Sequence, residues 1–306
     1  MDIFRFGFTA MAGDGEMVIA AESRREAQRV SARAIEEVSR IECRYSRYRP
    51  DGVLAAINGA AGKGPLPCDR ETGSLLRYAD VLYGSSEGLF DITSGILRTV
   101  WDFKKGTVPG TDELAAALGR VGWAKVELQE RSIVLPEGMQ IDFGGFGKEY
   151  ASDRAAACLH QDGIRHGYVN LAGDIRVVGP KPDGSAWSIG IRDPRQRERS
   201  IASVPLFSGA LATSGDYERY FEADGHRYCH VLSPLTGYPV TYWRSVSVVA
   251  PTATAAGSLS TIAMLKEKDG LAFLEESGMA YFAVDRTGTI HQRNCELEVA
   301  PCREKE

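Results

Sequence analysis

Apolar positions with helical spacing predict several amphipathic helices. In residues 22–42 such positions recur every three or four residues and would share one helix face: Ala27, Val30, Ala34, Val38 and Ile41. A second helix is predicted at 69–83. Thr111 is the expected cap of a third helix, DELAAAL, which stops near Gly119. Further helices are predicted at 148–161, ended by Gly163, and at 253–266 and 268–276.

Short apolar runs between turn residues predict strands. Residues 1–20 read as one or two strands broken at AGDGE, KVELQE and SIVL as a hairpin, and MQIDF as a further strand. Strand candidates follow at GYVNLA, DIRVVG, WSIGIRD, VPLFSGALAT, YERYF and RYCHVLS, and MAYFAVDRTGTIHQR reads as a closing hairpin with an Arg-Thr-Gly turn. Adjacent strands with interspersed helices indicate an α+β fold with antiparallel or mixed sheets and flanking helices. No clean linker interrupts residues 1–306, which predicts one compact unit.

Charge and composition narrow the function classes. The formal net charge is −5, from 36 basic and 41 acidic residues, which argues against a nucleic-acid partner. No apolar run approaches the roughly 18 residues of a membrane span, and no signal peptide or lipid-attachment cysteine is visible, so we expect a cytoplasmic protein. The six cysteines are scattered without metal-ligand spacing and are expected to be free thiols.

A glycine-rich stretch, IDFGGFGKEY (141–150), is the first candidate for chemistry. Its turn lies between an apolar run and a helix start, where free backbone NH groups and the helix dipole favour a phosphate. Lys148 would add a positive charge, and Asp142 would accept hydrogen bonds from a base or sugar. The stretch is neither GxGxxG nor GxxxxGK[ST]. A plain strand–helix turn with a solvated lysine is the alternative interpretation.

Five segments in order give this turn a context. They are RYSRYRPDGVLAAIN (44–58), GLFDITSGIL (88–97), IDFGGFGKEYASDRAA (141–156), GYVNLAGDIRVVG (167–179), and ATSGDYERYF with YCHVLSPLTGYPV (212–240). Together they resemble the motifs of the FAD:protein FMN transferase family, the ApbE-like proteins. The resemblance extends over nearly the whole chain.

The resemblance implies an Mg²⁺-dependent enzyme that splits FAD at its diphosphate. The FMN would be attached by a phosphoester to a threonine of a target redox protein, with release of AMP. His230 matches the candidate general base of the family, although a structural histidine is the alternative. The positions matching FAD contacts are Met11, Tyr48, Phe90, Asp91, Ile92, Asp142, Lys148 and Leu232. Core packing is the alternative role for Tyr48 and Phe90.

The implied metal site departs from the family pattern. Gly145, through its carbonyl, and Thr261 match metal-ligand positions, but Gly257 stands where the family has an aspartate, and Ser260 also differs. Either the helix begins after Gly257, or the missing side chain leaves space for a close neighbour. Asp174 or Asp216 would then supply a carboxylate, or the FAD phosphates and water would hold the metal, or the metal would be absent.

Smaller departures lie elsewhere in the motifs: Gly52, Glu149, Ala172 and Leu235. Glu149, which replaces a glycine, suits the helix dipole but opposes a phosphate unless it points away. Two alternatives to a transferase therefore stay open. One is an FAD-binding carrier or maturation accessory without transferase activity, and the other is an FAD pyrophosphatase.

Overall fold

The helices that the structure describes lie between Arg24 and Ser277. The computed structural model describes residues 1–196, 198–293 and 298–299. Its α-helices are α1 (Arg24–Tyr45), α2 (Val53–Gly59), α3 (Arg70–Ser85), α4 (Thr111–Leu118), α5 (Gly147–Gln161), α6 (Ala253–Leu265) and α7 (Gly270–Ser277). Short 3-10 helices cover Ile92–Thr99, Trp123–Lys125 and Glu267–Asp269.

The strands are concentrated at the N-terminus and after residue 166. They are β1 (Asp2–Ala10), β2 (Gly13–Ala21), β3 (Leu66–Pro67), β4 (Glu127–Leu128), β5 (Ser132–Val134), β6 (Gly167–Leu171), β7 (Asp174–Gly179), β8 (Trp187–Arg192), β9 (Ser200–Leu206), β10 (Ala210–Gly215), β11 (Tyr220–Ala223), β12 (His226–Cys229), β13 (Trp243–Ala250), β14 (Ala280–Asp285), β15 (Ile290–Arg293) and β16 (Glu298–Val299).

An eight-stranded sheet forms the middle layer, in the order β1-β2-β6-β7-β10-β13-β14-β15. Its neighbouring strands all pair antiparallel. Helices α1, α5 and α6 cover one face, where Met17 and Ile19 of β2 join the main core. The β8–β9 hairpin covers the other face, where Val18 packs with Trp187 and Val204. Because both faces are buried there, the second half of β2, MVIAA, is a continuous apolar run. These layers confirm the α+β prediction.

Local signals place the long helices. The five predicted apolar positions of α1 are all buried, and the Ser23 side chain caps this helix by accepting from the Glu26 NH at 3.2 Å. Asp69 caps α3 in the same way, with the Thr72 NH at 2.8 Å. Gly163 follows α5 with a φ of +90°, as expected for a glycine that ends a helix.

Three local predictions are wrong. MQIDF forms no strand, because the Asn58 side chain bonds both backbone groups of Ile141, at 2.8 and 3.1 Å, and the Asp142 NH donates to the Ile92 carbonyl. VPLFSGALAT is two strands, β9 and β10, because Gly209 turns the chain with a φ of +79°. Thr111 is the first residue of α4 rather than its cap, since Gly110 holds that position.

The remaining predictions concern thiols and membranes. Four cysteines are free: Cys43, Cys68, Cys158 and Cys229. Cys295 and Cys302 lie outside the described residues. Within the part of the chain that the structure describes, no helix combines the length and the apolar character needed to cross a bilayer.

Candidate functional site

A cavity of about 960 Å³ opens beside the central sheet. Its walls come from the β1–β2 and β6–β7 turns, the end of α1, the 3-10 helix Ile92–Thr99, the glycine turn before α5, and the segments around β10 and β12. All the residues predicted for the site line it: Met11, Tyr48, Phe90, Asp91, Ile92, Asp142, Gly145, Lys148, His230, Leu232 and Thr261.

Two strained hairpin turns form one wall. Met11 and Ala12 connect β1 to β2 with φ values of 55° and 59°, and Ala172 connects β6 to β7 at 51°. Such left-handed values normally favour glycine or asparagine. The turns contact each other, since the Ala172 NH donates to the Asp14 carbonyl at 2.9 Å. The paired turns hold Met11 at the cavity.

The glycine turn is built around close approach to Phe90. A Cβ on Gly145 would lie 2.7 Å from the Phe90 ring, so this position needs glycine. Phe90 is buried and stacks on Phe146, with ring centroids 6.2 Å apart. The core-packing alternative for Phe90 therefore holds, although the residue also lines the cavity. Tyr48 is not a core residue, because 71% of it is exposed at the cavity.

The two aspartates of the predicted FAD site already have partners. Asp142 pairs with Arg47 at 2.8 Å and accepts from the Gly144 NH at 2.8 Å. Asp91 is buried and accepts from the NH groups of Thr93 and Trp123, at 2.7 and 2.8 Å. The Asp91 carboxylate thus begins the 3-10 helix and joins it to Trp123, which fixes the position of this wall.

Lys148 is bound rather than solvated. Its ammonium group forms an ion pair with Asp174 and lies 3.6 Å from Glu149. Asp174 is buried and also accepts from the Thr213 NH at 3.0 Å. Asp216 does not line the cavity, and Arg195 binds both of its oxygens at 2.7 Å. Neither aspartate is therefore a free carboxylate for a metal.

His230 lies directly after β12, at the strand end that its motif predicts. Burial, together with the nearby charges of Arg98 and Arg219, lowers the pKa of this imidazole from 6.5 to about 3. The ring keeps part of its surface accessible, while its Nδ1 is buried and has no hydrogen-bond partner in the described part of the chain. His230 is therefore neutral at pH 7.

Arg98 and Arg219 are site residues that the sequence reasoning missed. Both line the cavity, and among the described residues neither pairs with a carboxylate. Their positions in the sequence could have identified them, because Arg98 directly follows the segment GLFDITSGIL and Arg219 lies within ATSGDYERYF. Two unpaired guanidinium groups beside a neutral imidazole favour a phosphate-bearing ligand.

Helix α6 supplies the last wall. It begins at Ala253, four residues before Gly257, so the alternative of a later helix start is wrong. A Cβ on Gly257 would lie 2.6 Å from Cγ of Glu149, which shows that the side chain of Glu149 fills this space. One helical turn later, the Thr261 hydroxyl lies 3.0 Å from the Ser214 hydroxyl.

Asp153 of α5 anchors α6 at its start. Its carboxylate accepts from the NH groups of Ala253 and Thr254, both at 2.9 Å. Arg176 holds the same carboxylate at 3.0 Å. This aspartate belongs to the resembling segment 141–156, and its role is to fix α6 against the glycine-turn helix.

The layered sheet and the cavity define a class of α+β protein that is known from solved structures. The ApbE protein of Thermotoga maritima aligns with 96% of this chain and 97% of its own, with 31% identity and a TM-score of 0.89. The flavinyl transferase ApbE of Pseudomonas stutzeri, in its apo form, covers 96% and 95%, with 27% identity and a TM-score of 0.85.

Sequence comparison gives the same relationship. The FAD:protein FMN transferase of Treponema pallidum is 35% identical over an alignment of 265 residues, and the match covers 78% of this chain and 72% of the relative. The model of the ApbE family matches residues 14–283. The chain belongs to the ApbE family, as its five motif segments predict.

Proposed function

We propose that this chain is an FAD:protein FMN transferase. The observation that carries the proposal is the convergence of His230, Arg98 and Arg219 on one cavity with the glycine turn. In the reaction, the hydroxyl oxygen of an acceptor threonine bonds to the phosphorus of the FMN half of FAD. The bond from that phosphorus to the bridging oxygen breaks, and AMP leaves with the electron pair.

His230 is the group that takes the threonine proton. The low pKa of its imidazole makes it a weak base by itself. A bound diphosphate brings negative charge beside Arg98 and Arg219 and offsets their effect, so the pKa of His230 rises when FAD binds. Proton transfer is thus coupled to FAD binding.

Arg98 and Arg219 bind the diphosphate and stabilise the charge that develops on the leaving AMP. Their side chains have no carboxylate partner among the described residues, so a phosphate would not displace an existing ion pair. Lys148 has a different role, because Asp174 already neutralises it. It positions Asp174 and the start of α5 rather than serving as a free phosphate ligand.

Mg²⁺ is the expected metal, and part of its donor set is present. The Gly145 carbonyl and the Thr261 hydroxyl both line the cavity, and hard oxygen donors of this kind suit Mg²⁺. When bound, the ion would neutralise charge on the diphosphate. Among the described residues, no three His, Cys, Asp or Glu side chains cluster as a metal site, so the ion would rely on neutral donors, few carboxylates and the substrate.

Gly257 favours a second candidate function, that of an FAD carrier or maturation accessory. The proposed site then binds FAD without cleaving it. A third outcome, FAD pyrophosphatase activity, would require water in place of the threonine hydroxyl. The acceptor is expected to be a redox protein that carries a threonine.

The test follows FAD, AMP and flavin separately. The protein is titrated with FAD by flavin fluorescence, then incubated with FAD and MgCl₂, with and without candidate redox proteins from the same genome. His230→Ala should retain FAD binding and lose AMP release. His160→Ala is the matched control, because His160 is an exposed residue of α5 outside the cavity.

The products distinguish the three functions. AMP together with flavin bound covalently to the redox protein supports the transferase. AMP with free FMN in the absence of a redox protein identifies a pyrophosphatase, and FAD binding without AMP identifies a carrier. Failure to bind FAD overturns all three.

A further inference from the structure

We infer that Glu149 supplies the metal carboxylate that position 257 lacks, so that the cation site is built from α5 instead of α6. The inference rests on the proposed function, because the metal would serve the bound FAD. By the motifs alone, Gly257 is the loss of a ligand and Glu149 is an unrelated change. The structure connects them.

The connection is steric. A Cβ built on Gly257 would lie 2.6 Å from Cγ, 2.8 Å from Cδ and 2.8 Å from Oε1 of Glu149. The carboxylate of Glu149 therefore lies beside the point where a side chain from position 257 would begin. An aspartate at 257 and the observed Glu149 side chain exclude each other, which makes the two departures a single exchange.

The state of the carboxylate also indicates a missing cation. The side chain of Glu149 is 9% exposed, and its Oε2 is buried without a hydrogen-bond partner among the residues that the structure describes. A buried polar atom without a partner is costly, and more so when it is charged. The neighbouring Lys148 compensates only in part, since its ammonium group forms a long ion pair with Oε1 at 3.6 Å and is paired more closely with Asp174.

The surrounding donors suit a hard cation. Thr261 is four residues after Gly257 on α6, so both positions share one helix face. Its hydroxyl lies 3.0 Å from that of Ser214, which in turn lies 2.8 Å from the Ser260 hydroxyl. No hydrogen bond to the Gly145 carbonyl is found within the described ranges. One carboxylate with neutral oxygens is the donor set with which Mg²⁺ is held against substrate phosphates.

The test measures metal binding directly. Mn²⁺ is titrated into the FAD-loaded protein and the free ion is followed by electron paramagnetic resonance, with Mg²⁺ competition. We expect Glu149→Gln, which keeps the side-chain shape, to weaken Mn²⁺ binding by roughly 10- to 100-fold. The double variant Glu149→Gly with Gly257→Asp, which returns the carboxylate to α6, should recover most of the affinity.

Glu42→Gln is the matched control, because Glu42 also lines the cavity and loses the same charge. It should leave Mn²⁺ affinity within about twofold, as expected for a charge that is not a ligand. Unchanged Mn²⁺ affinity in Glu149→Gln, or an equal loss in Glu42→Gln, would overturn the inference while FAD binding and AMP release stay intact. Loss of FAD binding by the unaltered protein would instead overturn the proposed function.

Discussion

The anchoring of α6 by Asp153 gives a prediction whose magnitude follows from the contacts. In Asp153→Ala, the NH groups of Ala253 and Thr254 lose their acceptor, and Arg176 loses its carboxylate. Ala253 is fully buried, so water does not readily replace the bond. Loss of a capping carboxylate costs about 0.5–2 kcal/mol, and an unsatisfied buried donor about 1–3 kcal/mol.

Since these contributions overlap, we expect Asp153→Ala to lower the free energy of unfolding by about 2–4 kcal/mol. Asp153→Asn should lower the free energy of unfolding by less, because its amide oxygen can still accept a hydrogen bond from an NH group at the start of α6. Urea denaturation measures both values, provided that the m-value is unchanged. Asp51→Ala is the control. Its ion pair with Arg49 is exposed, and its removal should leave the free energy of unfolding nearly unchanged.

A loss in Asp153→Ala as small as that in Asp51→Ala would refute the reasoning. It would mean that the first turn of α6 is held by packing and by its own cap at Thr252, without help from α5. The position of Thr261 would then not depend on Asp153.

Three further predictions concern single positions. Gly257→Ala should lower the melting temperature, because overpacking against Glu149 costs about 1–3 kcal/mol. Gly84→Ala in α3 is the control and should raise the melting temperature, because open space surrounds that position. Ala172→Gly should raise the free energy of unfolding by about 1 kcal/mol in urea, since it relieves a φ of 51°; a decrease would contradict the strain. Between pH 6.5 and about 3, His230 is protonated in the unfolded chain but not in the folded protein. The free energy of unfolding therefore decreases as the pH is lowered, by up to about 1.4 kcal/mol per pH unit. In denaturation curves over that pH window, the free energy of unfolding of His230→Gln should decrease less steeply than that of the unaltered protein. An equal slope for the two proteins would contradict the low pKa of His230.

Local sequence signals predicted the helices better than the strands. The apolar spacing of α1 fixes its buried face without reference to the rest of the chain. MQIDF has the composition of a strand, but its backbone partners are Asn58 and Ile92, which are distant in sequence. No local pattern contains that information, because the partners become neighbours only in the folded protein.

The site was predicted through motifs, and the limits of that prediction have a physical basis. Each matched position lines the cavity, yet the motifs do not say which charges are already paired. Lys148 read as a free phosphate ligand, whereas Asp174 neutralises it. The sequence relates Glu149 only to the dipole of its own helix, whereas its decisive contact in the structure is with Gly257 on α6. The cytoplasmic location and the single unit over residues 1–306 stay predictions.

The wide sequence span of the cavity wall has a consequence for folding. Its residues run from Met11 in the first hairpin to Leu265 at the end of α6, so no short contiguous fragment carries the complete wall. FAD would then select the fully folded chain and stabilise it by mass action, in proportion to the logarithm of its concentration. Flavin fluorescence would report global folding, and partly folded chains would remain colourless. Supply of FAD would thereby set the lifetime of the protein as well as its activity.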